Sequence, residues 1–217
     1  MPDGASGIAD RHGGCLDRTE RWAMQQAEDL TLFELTGWQW LNEPANWLNY
    51  AGLTVTSDTD TDFWRTTHYG FTRDTGHALL QPVGAQFRIR TRFFGDYREQ
   101  HDQAGLMLRI DERNWIKAGI EYVDGEQYLS AVVTREHSDW SLLPLSEAHG
   151  EVESVTVEIE RFEDAVHVRY AAEDGEPVNI LRMAYFPPDV PAQAGPMCAS
   201  PDGAGFPVRF SDLTLAE

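Results

Sequence analysis

Residues 115–135 read WIKAGIEYVDGEQYLSAVVTR, which is two apolar-rich segments separated by the pair Asp124-Gly125. This pair readily adopts the positive φ angles of a tight hairpin turn, so the stretch predicts two antiparallel strands. Side chains alternate between the two faces of a strand. One face of the first strand therefore carries the apolar residues Ile116, Ala118 and Ile120. The opposite face carries Trp115, Lys117, Gly119 and Glu121.

Similar short apolar-rich segments lie on both sides of this hairpin in the sequence. They are residues 85–94, 105–110, 155–161, 165–171 and 178–186, followed by the C-terminal run 207–217. Short strands at this spacing, separated by Gly, Asp and Pro, are typical of a β-sandwich or barrel. No Cys…Trp…Cys pattern occurs, which disfavours an immunoglobulin-type sandwich. We expect one all-β domain over residues 31–217. Residues 1–30 would form a flexible leader with a short helix near residues 20–30.

Composition narrows the classes of partner. The 217 residues include 36 acidic and 17 basic side chains, for a formal net charge of −19. A chain this negative repels nucleic acids and anionic lipid surfaces. No apolar run is long enough to span a membrane, and the start MPDGASGIADRHGG does not resemble a secretory signal. Two cysteines, Cys15 and Cys198, cannot form a disulfide framework. We therefore expect a cytoplasmic protein that binds neither nucleic acid nor membrane.

Lys117 is the only lysine, since the other 16 basic residues are arginines. An ammonium group is compact and its pKa responds to burial, whereas a guanidinium is planar and stays charged. Lysine at this one position indicates either a function or a specific buried pair, although chance placement is the alternative. Lys117 and Glu121 lie roughly 13 Å apart along the strand, so each needs a partner from elsewhere.

Three tryptophans, Trp64, Trp115 and Trp140, each stand beside polar residues. An aromatic ring next to hydrogen-bonding groups suits the face and edge of a sugar. Gly119 has no side chain, so we expect an open floor between Lys117 and Glu121. The segment TTHYG adds His68 and Tyr69 as further binding candidates. The alternative is that Trp115, Lys117 and Glu121 lie on the solvated face of an ordinary sheet. No spacing indicates a cofactor or a metal site, and the acidic run 56–62 is interpreted as a loop rather than a calcium site.

Several motifs together resemble a known family. They are DQAGLMLRID…WIKAGIEY (residues 102–122), LSxVVT (129–134) and SDWS (138–141), with DFW (62–64) and WxWLNEP (38–44) upstream. The run is similar to uncharacterised proteins related to the fungal "regulation of enolase" protein, over about residues 36–216. The resemblance implies a concanavalin A-like jelly-roll sandwich of two curved antiparallel sheets with a concave ligand face. The matching positions expected on or beside that face are Asp62, Trp64, Gln103, Trp115, Lys117, Glu121, Thr134, Ser138, Asp139 and Trp140.

Three functions are compatible with these residues. The first is binding of a sugar or sugar-like metabolite, with the tryptophans as platforms and polar anchors at Gln103, Lys117, Glu121 and Asp139. The second is an enzyme acting on such a substrate, with Glu121 as acid/base or nucleophile, assisted by Lys117 and Asp139. Sugar-cleaving relatives of this fold carry an E-x-D-x-x-E strand, which this sequence lacks, so their catalytic residues do not transfer. The third is a regulatory module that binds a protein partner.

Overall fold

The computed structural model describes residues 36–50, 52–150 and 152–217. The predicted leader, residues 1–30, lies outside these ranges. The strands are β1 (Gln39–Leu41), β2 (Asn46–Asn49), β3 (Leu53–Thr56), β4 (Phe63–Arg65), β5 (Thr72–Asp74), β6 (His77–Val83), β7 (Phe87–Gly95), β8 (Gln103–Asp111), β9 (Asn114–Val123), β10 (Glu126–Arg135), β11 (His137–Pro144), β12 (Val155–Phe162), β13 (Ala165–Ala172), β14 (Asn179–Tyr185), β15 (Ala192–Ala199) and β16 (Pro207–Ala216). A five-residue helix, α1 (Leu145–His149), follows β11.

The strands form two antiparallel sheets of seven strands each. The first sheet has the order β1-β6-β15-β8-β9-β10-β11, and the second has β14-β13-β12-β7-β16-β3-β2. The short hairpin β4–β5 pairs only within itself. The prediction of an all-β jelly-roll sandwich of two large antiparallel sheets is confirmed.

The central hairpin forms as its sequence predicts. Val123 pairs with Glu126, which leaves a two-residue turn in which Asp124 has φ 52° and Gly125 has φ 88°. This register places Ile116, Ala118 and Ile120 in the space between the sheets, where they are almost fully buried. The face with Trp115, Lys117 and Glu121 consequently points away from the second sheet, and we call it the outer face of the first sheet.

The second sheet contributes the other half of the core. Ile89 of β7 pairs with Ile159 of β12, and both side chains are fully buried between the sheets. The intervening residues of these strands are charged: Arg88 pairs with Glu160 on the outer face of the second sheet. The predicted alternation in residues 85–94 and 155–161 is therefore confirmed. No helix among the described residues is long and apolar enough to cross a membrane.

Candidate functional site

A cavity of about 260 Å³ lies on the outer face of the first sheet. The segment around the β4–β5 hairpin covers this face and forms one side of the cavity, and strands β8, β9 and β11 form its floor. The volume is just below the range of 300–1,000 Å³ that is usual for sites of drug-sized ligands. The cavity therefore suits a small ligand.

Hydrogen bonds from the sheet hold this covering hairpin in place. The Arg65 backbone N–H donates to Ser138 Oγ at 2.9 Å, and Ser138 Oγ lies 2.8 Å from Thr134 Oγ1. At the other end Arg109 binds Asp74 through two contacts of 2.7 Å, the fork geometry that guanidinium and carboxylate groups favour. Strands β8 and β11 of the first sheet thus hold the two ends of a hairpin that pairs only within itself.

A second, smaller apolar cluster fills the space between hairpin and sheet. Trp115 is only 1% exposed and packs against Phe63 of the hairpin, with ring centroids 6.1 Å apart. Met107 and Val132, which lie on the same face of the neighbouring strands, are fully buried in this cluster. The hydrophobic contact therefore holds the hairpin down, and the alternative that this face is solvated is wrong.

Lys117 is buried under the hairpin and helps to hold it in place. Its ammonium donates to the Phe63 carbonyl oxygen at 2.9 Å and to Gln103 Oε1. The Asp62 carboxylate is 3.8 Å away and provides the opposite charge. An arginine guanidinium could not fit its larger planar head between these three groups. The isolated lysine in the sequence therefore marks a specific buried pair.

Glu121 is a buried carboxylate with three hydrogen-bond donors. Ser130 Oγ donates to Oε2 at 2.8 Å and Trp140 Nε1 at 3.0 Å, while His101 Nδ1 lies 3.2 Å from Oε1. Burial alone would raise the pKa of Glu121. The hydrogen bond from His101, the charge of Lys117 and the hydrogen bond from Ser130 together lower that pKa below its ordinary value. Glu121 is consequently ionised at neutral pH.

His101 lies in the tight loop before β8 and faces the cavity. Its backbone has a φ of 64°, in the left-handed region that few residues other than glycine adopt. The ring contacts Trp140 edge-on at 6.0 Å. The hydrogen bond with Glu121 is the largest cause that raises the pKa of His101, outweighing the opposing effect of partial burial. The imidazole therefore carries a proton at higher pH than usual.

Aromatic rings form the remaining wall of the cavity. Trp64 contacts Trp140 edge-on at 6.1 Å, and its Nε1 donates to the Thr67 carbonyl at 2.9 Å. Tyr69 and Phe71 stack on one another at the rim, with centroids 5.6 Å apart. Tyr69 is 48% exposed, so its ring is accessible to a ligand at the mouth of the cavity.

Most of the residues predicted from sequence meet at this cavity. Seven of them line it: Asp62, Trp64, Tyr69, Gln103, Lys117, Glu121 and Trp140. Trp115 and Ser138 lie beneath it, where they support the hairpin rather than face the space. His68 is exposed beside Tyr69, outside the lining.

Asp139 and Gly119 differ from their expected positions. Asp139 pairs with Val133, whose side chain lies in the core, so alternation turns its carboxylate toward the second sheet and away from the cavity. It forms an ion pair with Arg182 at 3.2 Å. The open floor expected at Gly119 is wrong, because a Cβ there would lie 2.0 Å from the Ala104 carbonyl oxygen. Gly119 instead permits a close approach of β8 and β9.

Five lining residues were not anticipated from the sequence: Phe71, Arg73, His101, Pro201 and Asp202. Phe71 and Arg73 belong to the covering hairpin, and Asp202 to a loop after β15. His101 immediately precedes the run Asp102–Asp111, and that position was the one available indication of its role.

Comparisons with known proteins agree with this fold. A family model described as "Protein of unknown function (DUF1349)" matches residues 40–217. Regulation of enolase protein 1 of Saccharomyces cerevisiae is 38% identical over 183 residues, which cover 84% of this chain and 90% of the yeast protein. An uncharacterised protein of Emericella nidulans is 27% identical over 176 residues, covering 76% of this chain and 86% of its own length.

Solved structures also resemble this fold. A functionally unknown protein from Saccharomyces cerevisiae superposes with a TM-score of 0.79 at 37% identity, covering 85% of this chain and 99% of that one. A xylan beta-1,4-xylosidase from Bacillus halodurans superposes with a TM-score of 0.67 at 14% identity, covering 88% of this chain. This chain spans only 38% of the xylosidase, so that likeness concerns the fold alone.

Proposed function

The chain belongs to the DUF1349 family, and we propose that it binds a sugar or a sugar-like metabolite in the cavity beneath the β4–β5 hairpin. One observation carries this proposal. Four aromatic side chains and five buried or half-buried polar side chains line the same small space. The aromatic side chains are those of Trp64, Tyr69, Phe71 and Trp140. The polar ones are those of Asp62, His101, Gln103, Lys117 and Glu121.

The chemistry of these side chains matches a polyhydroxylated ring. A sugar presents apolar C–H groups on its faces and hydroxyl groups at its edge, so it needs flat apolar surfaces next to mixed donors and acceptors. Trp140 and Tyr69 offer the surfaces. Lys117 and His101 are donors, whereas Asp62 is an acceptor, and all three line the cavity.

The charges in the cavity favour a neutral ligand. Glu121 is matched by His101, and Asp62 is matched by Lys117. The lining holds one further cation, Arg73, and one further carboxylate, Asp202. Because the whole chain has a formal charge of −19, an anionic ligand would need an excess of positive charge at the site. The paired arrangement offers none, so we place neutral sugars and polyols ahead of sugar acids and sugar phosphates.

The hydrogen bonds of Glu121 support a binding role rather than a role as proton donor. Both of its oxygens already accept hydrogen bonds, and its lowered pKa keeps it ionised. A general acid must carry a proton at working pH. Glu121 is therefore better suited to orient His101 and Trp140 than to protonate a leaving group. A cytoplasmic location, which we retain as part of the proposal, favours small metabolites over polysaccharides.

A thermal-shift screen followed by calorimetry tests the proposal. Purified protein is screened against neutral mono- and oligosaccharides, polyols, sugar acids and sugar phosphates. A ligand at a hundred times its Kd stabilises by about 2.7 kcal/mol, a shift of a few degrees for a domain of this size. We expect a hit among the neutral sugars.

Two variants locate the binding site. Tyr69→Ala removes a ring at the mouth of the cavity and should weaken binding about tenfold, equivalent to about 1.4 kcal/mol. Tyr185→Ala is the matched control, because Tyr185 on β14 is also about half exposed but lies on the other sheet. Equal losses in both variants, or no bound compound from any class, would refute the cavity as a sugar site.

A second candidate function is regulation of a protein, and the yeast relative favours it. Its name refers to the regulation of enolase. In this chain the edge strand β14 and the residue just before it expose four apolar side chains: Val178, Ile180, Met183 and Tyr185. Such an apolar stripe is a suitable surface for a protein partner. Binding of purified enolase to this chain, and its loss in Met183→Lys, would support this function; unchanged binding in that variant would exclude the stripe.

A further inference from the structure

His101 lines the cavity, and its contacts with other described residues leave one ring nitrogen without a partner. Nδ1 is held by Glu121 at 3.2 Å, and among the described residues Nε2 has no hydrogen-bond partner. The loop fixes this orientation, because the His101 backbone N–H donates to the Tyr122 carbonyl at 2.7 Å and Trp140 packs against the ring. A buried carboxylate that holds one nitrogen of an imidazole presents the other nitrogen for proton transfer.

A carboxylate with a free oxygen lines the same cavity. Asp62 Oδ1 accepts from the Phe63 backbone N–H at 2.7 Å and from Gln103 Nε2 at 3.3 Å. Oδ2 accepts no hydrogen bond from any described residue. Gln103 Nε2 also lies 3.2 Å from the His101 carbonyl oxygen, so one amide ties the two groups together. Asp62 and His101 are thus held at a fixed separation on two sides of the space.

Each of the two groups faces charges of the opposite sign. The charged groups that face His101 are Glu121, Asp62 and Asp202, and all three raise its pKa. Asp62 is the carboxylate of an ion pair with Lys117, and Arg73 is the remaining cation of the lining. Near neutral pH the cavity therefore offers a proton donor and a proton acceptor at once. A reaction that takes a proton from one oxygen of a ligand and gives a proton to another oxygen requires this combination.

We propose that this cavity interconverts the α and β anomers of a reducing monosaccharide, with Asp62 as proton acceptor and His101 as proton donor. Asp62 Oδ2 removes the proton of the anomeric hydroxyl. The C–O bond between the anomeric carbon and the ring oxygen breaks, and the ring oxygen takes the proton from His101 Nε2. The open aldehyde rotates, and the ring closes by the reverse steps. The attacking hydroxyl returns its proton to His101, and Asp62 gives its proton to the new anomeric oxygen. No atom or electron is gained or lost, and no second reactant is needed.

Glu121 is a positioning residue in this scheme. It touches His101 and not the reacting atoms, and its negative charge favours the protonated imidazole. The inference rests on the proposed function, because a sugar must first bind. It adds that the bound sugar is a free monosaccharide with an anomeric hydroxyl.

Polarimetry on freshly dissolved α-D-glucose, α-D-galactose and α-D-xylose tests the inference. The wild-type protein should accelerate the change in rotation of at least one sugar above the spontaneous rate in dilute buffer. His101→Asn keeps a side chain that tolerates the left-handed backbone, and it should lower the catalysed rate by about 10²–10⁴. His137→Asn, at an exposed position outside the cavity, should leave the rate unchanged.

A second measurement distinguishes a positioning role from a structural one. The catalysed rate should fall as the pH rises through the pKa of His101. Glu121→Gln removes the charge that raises this pKa, so the fall should begin at lower pH in that variant. An unchanged pH profile in a folded Glu121→Gln protein would overturn the role of the pair.

Calorimetry with the same three sugars separates failure of this inference from failure of the proposed function. A sugar that binds to the wild type without faster anomerisation overturns the inference and leaves the binding site intact. If none of the three sugars binds, the inference fails, and the wider screen decides the proposed function. Release of nitrophenol from a nitrophenyl glycoside without anomerisation would also overturn the inference, because it requires a different reaction class.

Discussion

The outer faces of the two sheets have the same sequence pattern and opposite environments. On the second sheet, Glu160 lies between Arg88 at 2.6 Å and Arg169 at 2.7 Å, in a network that is largely open to solvent. On the first sheet, Lys117 and Glu121 occupy equivalent alternating positions but are buried under a hairpin and satisfied mainly by neutral donors and acceptors. Alternation therefore identifies the faces of a sheet, and only a covering segment turns one of them into a site.

Replacing one cation on each face should give the largest difference in the free energy of unfolding between the two faces. Lys117→Met leaves the Phe63 carbonyl and Gln103 Oε1 unpaired and leaves Asp62 without an opposite charge. We expect a loss of about 3–5 kcal/mol in the free energy of unfolding. Arg88→Met, at a half-exposed pair, should cost at most about 1 kcal/mol. Urea denaturation measures both, and equal losses would contradict the distinction between the two faces.

A pair of serine variants makes the same comparison at hydrogen bonds. Ser138→Ala leaves the Arg65 backbone N–H without its acceptor beneath the hairpin, which should cost about 1–3 kcal/mol and weaken ligand binding. Ser211→Ala on β16 removes a 3.2 Å contact with the Arg92 side chain and a long 3.5 Å contact with the Arg92 carbonyl oxygen, and it should cost about 0.5 kcal/mol. An equally small loss of stability in Ser138→Ala and Ser211→Ala would contradict the difference between the two faces.

The two faces should also differ in their pH dependence. The pKa of Glu121 is lowered from 4.5, so its contribution to stability is present above about pH 4.5 and is lost as the pH falls. The pKa of His101 is raised from 6.5, so its contribution is present below about pH 6.5 and is lost as the pH rises. The difference in stability between wild type and Glu121→Gln should therefore be largest between about pH 4.5 and 6.5.

Glu160 provides the control for that profile. Hydrogen bonds from Arg88 and Arg169 lower its pKa, and arginine does not titrate in the accessible range. His167 Nδ1 also lies 4.0 Å from Glu160 Oε2, so the control is made in a His167→Asn background. There the stabilisation removed by Glu160→Gln should disappear in acid but stay constant from pH 5 to 8. Urea midpoints at several pH values measure both curves, and a matching alkaline decline for Glu160→Gln would exclude His101 as the cause.

The smallest effect is expected on the edge of the second sheet. Met183 is 67% exposed on β14, so Met183→Lys should change the free energy of unfolding by less than about 0.5 kcal/mol. Sugar affinity should also remain as in the wild type, because the cavity lies on the other sheet. Thermal melts and calorimetry check both points, and a large loss in either would show that the two sheets are not independent.

Local sequence predicted the hairpins better than the connections between them. Strands β7, β9 and β12 begin and end within two residues of the predicted segments, since each has clean alternation and clear turn residues. Strands β6 and β15 were missed. Their Pro82 and the pair Gly195-Pro196 interrupt the pattern, although both strands are hydrogen-bonded in the centre of the first sheet. The three-residue strands of the covering hairpin are too short to give a periodic pattern.

The residues of the candidate site also differ in how well the sequence predicted them. Alternation placed Lys117 and Glu121 on one face, the polar neighbours of the tryptophans indicated Trp64 and Trp140, and the family motifs added Gln103. Neither could predict His101, because its role depends on a left-handed loop that turns the ring toward Glu121, 20 residues away. Asp139 shows the converse: it belongs to a recognised motif, yet its strand directs it to the opposite face.

The contacts that fix the covering hairpin also determine when the cavity can form during folding. Lys117 reaches Phe63 across 54 residues, and Arg65 reaches Ser138 across 73. Contacts this distant in sequence form slowly, because a long loop must be closed first, whereas the β9–β10 and β10–β11 hairpins are local. The cavity should therefore be completed last. A ligand that binds only the finished cavity should slow unfolding and leave the rate of folding nearly unchanged.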